Sequence, residues 1–90
     1  MNGVGIDFIL GEEKTLQFRV RSNSGKTLVI LEATFKLMSN GNIIQEGKCD
    51  IDGQMISCLV KPTEIGCMYL EIEYHIAPDT RKARFNINVS

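Results

Sequence analysis

Tryptophan is absent from this chain of 90 residues, histidine occurs once and proline twice. Without Trp there is no Cys…Trp…Cys framework, which excludes an antibody-type domain. The three cysteines, Cys49, Cys58 and Cys67, are an odd number and cannot all pair within one chain. With a single His beside them, and no C-x-x-C spacing, they offer no ligand set for a metal. A basic excess is also missing: 10 basic residues face 11 acidic ones, for a net charge of −1. A nucleic-acid partner held by phosphate neutralisation is therefore not expected. No run approaches the roughly 18 apolar residues of a membrane-spanning helix. The start, Met1-Asn2-Gly3-Val4-Gly5-Ile6-Asp7, has neither a basic n-region nor an apolar core, so no signal peptide is expected. These absences predict a chain made in a reducing cytoplasm, with free and mostly packed thiols. The alternative is a secreted chain shorn of its signal.

What is present is ordinary for a globular protein, 43% hydrophobic and 23% charged, which argues against disorder. The length predicts one domain over residues 1–90. A chain this short buries only about 60–65% of its unfolded surface, so contacts with partners matter to its stability. Period-two alternation dominates and points to half-buried strands. Leu16, Phe18 and Val20 alternate with Gln17, Arg19 and Arg21. A turn is expected at Ser22-Asn23-Ser24-Gly25-Lys26. Thr27 to Met38 follows without Gly or Pro; helix competes there, but the branched residues and the alternation favour strand.

Three hairpins can be registered. Asn40-Gly41 suits a type I′ turn and sets Leu37 opposite Ile44 and Met38 opposite Ile43. Asp52-Gly53 sets Cys49 opposite Ile56, Ile51 opposite Gln54 and Cys58 opposite Gly47, so Cys49 and Cys58 are expected as offset neighbours. A four-residue loop at Ala77-Pro78-Asp79-Thr80 suits a type I turn. It pairs Tyr74 with Ala83, Ile72 with Phe85, Leu70 with Ile87 and Met68 with Val89, all apolar. The other face pairs Glu73 with Arg84, His75 with Lys82 and Tyr69 with Asn88. A one-residue slip would destroy that agreement. Seven to eight short strands separated by turns predict an all-β, antiparallel, immunoglobulin-like β-sandwich.

The chemical motifs have simpler readings. Ser24-Gly25-Lys26-Thr27 resembles the end of a phosphate-binding loop, but Val20 stands where the first Gly belongs, and a strand rather than a helix is expected to follow. Asp50-Ile51-Asp52-Gly53 resembles the centre of an EF-hand loop, yet Lys48 and Leu59 occupy two ligand positions. His75 has Lys82 as its expected neighbour, with no Ser or Cys beside it for nucleophilic work. Arg19, Arg21, Arg81, Lys82 and Arg84 could gather on one face, though Glu71 and Glu73 would share it. Asn88-Val89-Ser90 matches a glycosylation sequon, read as chance in a chain without a signal.

The order of features is similar to the N-terminal domain of phage baseplate upper proteins and related tail proteins. Thr15–Val20 resembles that family's opening strand, Leu31-Glu32-Ala33-Thr34-Phe35-Lys36-Leu37 its L-x-A-T-x-x-F/L stretch, and Gly41-Asn42-Ile43-Ile44 its G-x-I hairpin. Gly53-Gln54-Met55-Ile56 resembles the G-x-V/I strand opening; the closing G-x-Y is imperfect, since after Gly66 the tyrosine arrives one place late as Tyr69. The resemblance runs from about Gly11 to Val89. It implies a non-catalytic virion module, assembled in the bacterial cytoplasm, that docks to other phage structural proteins or to itself. No enzyme activity, cofactor, nucleic acid or membrane is expected. Candidate partner contacts are the hairpin tips, Asn40, Gly41, Asp52, Gly53, Pro78 and Asp79, and the wet-face Tyr69. The alternative is a carbohydrate- or cell-surface-binding sandwich, for which Tyr69 is the one convincing exposed aromatic.

Overall fold

A computed structural model describes residues 5–21 and 28–90. The expected turn at Ser22–Lys26 and the Ser24–Thr27 segment lie outside the described residues. Among the described residues eight strands follow in order: β1 (Gly5–Phe8), β2 (Lys14–Arg19), β3 (Glu32–Ser39), β4 (Asn42–Lys48), β5 (Asp50–Asp52), β6 (Met55–Val60), β7 (Gly66–Ile76) and β8 (Asp79–Val89). They form a five-stranded sheet, β1-β8-β7-β3-β4, and a three-stranded sheet, β2-β6-β5. The β-sandwich expected from alternation is the fold. One departure is that β1 pairs with β8 in parallel, so the larger sheet is mixed. A second is that Leu28–Leu31 is not strand; the strand expected from Thr27 begins at Glu32.

The core lies between the sheets. The larger sheet contributes Phe8, Ala33, Phe35, Leu37, Met68, Leu70, Ile72, Ile87 and Val89, and β6 contributes Ile56, Cys58 and Val60. Phe18 of β2 stacks on Phe85 of β8 across the layer, ring centroids 4.3 Å apart and 22° from parallel. That offset-type contact is worth about 0.5–1.5 kcal/mol beyond its buried area.

The second and third hairpins keep the expected faces but change partners, and the first keeps one expected pair and loses the other to a bulge. At Asn40-Gly41 both residues have positive φ, 52° and 82°, as a type I′ turn requires, and Met38 pairs with Ile43. Leu37 does not meet Ile44. A bulge makes Ile44 the extra residue, and Leu37 pairs with Gln45. The second hairpin turns on Gly53-Gln54 rather than Asp52-Gly53, pairing Ile51 with Ile56 and Asp52 with Met55. Gly53 has φ of 62° and Gln54 is not in the positive region, the pattern of a Gly-first II′ reversal. The third hairpin closes on two residues, Ala77 and Pro78, joined by a cis peptide bond. Its pairs move one pleat along: Leu70 with Phe85, Ile72 with Ala83, Tyr74 with Arg81 and Met68 with Ile87. A shift by two residues keeps every side chain on its face, so apolar still meets apolar except where Tyr74 now meets Arg81.

Candidate functional site

The outer face of the five-stranded sheet carries the titratable groups in rows. Tyr69 faces Asn86, Glu71 faces Arg84, Glu73 faces Lys82 and His75 faces Thr80. The expected Glu73–Arg84 and Tyr69–Asn88 pairs are thus replaced. Glu71 accepts from Arg84 Nε at 3.0 Å and lies 3.9 Å from Lys82, whose ammonium is 3.6 Å from Glu73. The patch is mixed, as anticipated. The five basic residues do not gather on one face. Lys82 and Arg84 lie here, Arg81 pairs with Tyr74 on the opposite side of β8, and Arg19 belongs to the other sheet. Arg84 also lies over the Tyr69 ring, 5.0 Å from its centroid, so that ring face is already covered by a cation.

His75 does not neighbour Lys82. Its Nδ1 is 3.1 Å from Thr80 Oγ1, and Glu32 stands across from it on β3. Sequence reasoning missed this hydroxyl–imidazole–carboxylate row because it depends on the two-residue reversal at Ala77-Pro78. The row borders a shallow cleft of about 270 Å³, also lined by Thr34, Glu73 and Tyr74. A hydroxyl nucleophile needs a base and a set of donors aimed at the developing oxyanion. Here β7 is paired on both sides, to β3 and to β8, so its backbone N–H groups are spent in the ladders. The cleft thus brings an imidazole to a hydroxyl without supplying oxyanion donors from the strand that carries it.

The hairpin tips do not form one surface. Asn40-Gly41 projects from the end of the sandwich where Met38 pairs with Tyr69. Pro78 and the Gly53-Gln54 reversal lie toward the opposite end, where Phe85, Tyr74 and Ile56 border a common cleft. Asp52 and Asp79 are strand residues paired with Met55 and Ile76 rather than loop residues.

Apolar residues missed by the sequence reading cluster at the sandwich ends. Gly66 and Phe8 both pair with Val89, so three strands finish side by side. Just beyond them Ile9 is 64% exposed, Ile65 68% and Leu10 45%. Backbone bonds fix this end: Leu10 N–H donates to Ser90 O at 2.9 Å and Ser90 N–H to Phe8 O at 3.0 Å. At the other end Val29 and Leu31 are exposed, with Leu31 N–H donating to His75 O at 2.9 Å. The signal available in sequence was large apolar residues in stretches that do not alternate, as in Ile9-Leu10 and Thr63-Glu64-Ile65.

No family model and no curated protein matches this chain. Among solved structures it is similar to a crystal structure of an engineered protein, with a TM-score of 0.73 and 15% identity over 96% of this chain. The chain spans 18% of that protein's length. At that identity the likeness is one of fold.

Proposed function

We propose that this chain is a non-catalytic protein-interaction module, a structural component of a phage or prophage tail or baseplate. In this reading it assembles in the bacterial cytoplasm with other phage structural proteins or with copies of itself, and needs no cofactor, nucleic acid or membrane. The observation that carries the interaction role is the apolar end formed by Ile9, Leu10 and Ile65. Large apolar side chains left exposed where neighbouring strands end suit a place where another surface sits. The tail assignment draws on the resemblance of the strand and turn motifs, most of all Leu31–Leu37 and Gly41–Ile44. A sugar-binding role finds less support, since Arg84 already covers the Tyr69 ring on which a sugar would stack.

The test is co-purification with the gene products encoded on either side, followed by titration against any that bind. Each isoleucine transferred to an apolar contact contributes about 1.5–3 kcal/mol. The Ile9→Asp/Ile65→Asp double variant should therefore weaken binding at least ~100-fold while leaving the circular dichroism spectrum unchanged. A chain that stays monomeric at high concentration and binds none of those neighbours overturns the assembly reading. A double variant that binds as wild type overturns the apolar end as the contact.

A further inference from the structure

Two of the three thiols meet inside the sandwich. The β5–β6 register pairs Asp50 with Ser57 and Ile51 with Ile56. Carried one residue further, it places Cys49 directly across from Cys58. Both face the core, 9% and 3% exposed, and both belong to the apolar cluster between the sheets. Hydrogen bonding toward the Cys58 thiol holds the Cys49 pKa below the ordinary thiol value, while Cys49 and burial push that of Cys58 up. Cys49 is the single residue between β4 of the larger sheet and β5 of the smaller one. Its N–H donates to Ala33 O at 2.9 Å, so its backbone is tied to β3 while its side chain faces β6. Directly opposed antiparallel residues have Cα atoms roughly 4.5–5.5 Å apart, inside the roughly 4.4–6.8 Å window a disulfide requires.

We propose that Cys49 and Cys58 are an oxidisable pair that forms a cross-strand disulfide, locking the β4–β5 crossover to β6. The oxidant is a low-molecular-weight disulfide such as glutathione disulfide. The Cys49 thiolate attacks one of its sulfurs, forming a mixed disulfide and releasing one glutathione thiolate. The Cys58 thiolate then displaces the second, closing the S–S bond. The protein loses two electrons and two protons, and the oxidant becomes two thiols. Access is local, because β5 is a three-residue edge strand whose residues are all exposed. In a reducing cytoplasm the pair stays open, and in an oxidising medium it closes. This inference stands apart from the tail assignment.

The folded wild-type chain is incubated with millimolar glutathione disulfide, denatured in excess alkylating agent and cleaved after glutamate with endoproteinase Glu-C. The peptide Gly47–Glu64 contains both cysteines and excludes Cys67. It should appear unalkylated and lighter by two hydrogens, and the change should reverse with dithiothreitol. Bridging so short a loop should raise Tm by on the order of 10 °C relative to the reduced protein. The Cys67→Ser variant should behave identically, while Cys49→Ser should lose both effects. Recovery of Gly47–Glu64 with two alkylated thiols, with oxidation confined to Cys67, overturns the proposal. So does a bridged protein whose Tm is no higher than that of the reduced one.

Discussion

Gln45 should be worth more to this protein than a polar residue near a sheet edge ordinarily is. Its carboxamide oxygen accepts from Lys61 N–H at 2.9 Å, and its Nε2 donates to Leu59 O at 3.3 Å. One side chain of β4 thereby clasps the end of β6 in the other sheet. It reaches there because the bulge at Ile44, itself packed against the core, sets Gln45 opposite the fully buried Leu37. Each bond contributes about 0.5–1.5 kcal/mol net, and partial exposure lets water replace some of it. Gln45→Ala should therefore cost about 1–2 kcal/mol, lowering Tm by roughly 5–10 °C in a domain of this size. Thermal unfolding followed by circular dichroism reads the loss, and amide exchange at Lys61 should quicken selectively. Gln45→Glu keeps the acceptor for Lys61 and removes the donor to Leu59, so its loss should fall between wild type and Gln45→Ala. If Gln45→Ala left Tm and Lys61 exchange unchanged, the side chain would face solvent. That is where it would point if Leu37 sat opposite Ile44 without a bulge.

Two further perturbations probe the larger sheet. A Cβ added at Gly5 would collide with the Asn88 carboxamide, which packs over that strand and donates to Asp7 Oδ1 at 3.4 Å. Gly5→Ala should cost about 1–2 kcal/mol and speed exchange in β1, with Asn88→Ala restoring part of the loss in the double variant. The β7–β8 register can be read from charge: a Glu71/Arg84 double-mutant cycle should give a coupling of about 0.3–1 kcal/mol that fades with added salt. The same cycle on Glu73 and Arg84 should give none, and a coupling there instead would restore the four-residue turn.

Faces were legible in the sequence because they depend only on parity. Tyr69, Glu71, Glu73 and His75 alternate with Met68, Leu70, Ile72 and Tyr74 whatever the turn does, and the same residues end up wet and dry in the fold. Partners were not legible to the same degree. A shift of β8 by two residues still sets apolar against apolar along most of β7, as Ile72 with Phe85 or with Ala83 shows, and of the dry-face residues only Tyr74 changes kind of partner, from Ala83 to Arg81. Charge does not separate the two either, since Glu73 meets a cation in both, Arg84 in one and Lys82 in the other. What decides is the length of the reversal, which the run Ala77-Pro78-Asp79-Thr80 leaves open between two and four residues. The same freedom hid the cysteine pair: moving the second turn from Asp52-Gly53 to Gly53-Gln54 carries Cys49 from Ile56 to Cys58. The apolar ends were missed for a different reason. Ile9, Leu10 and Ile65 lie beyond the strands, where alternation says nothing, and their exposure depends on three strands finishing together at Phe8, Gly66 and Val89. In this sandwich parity determines the core, whereas the features with chemical or binding potential hang on turn length and on where strands stop.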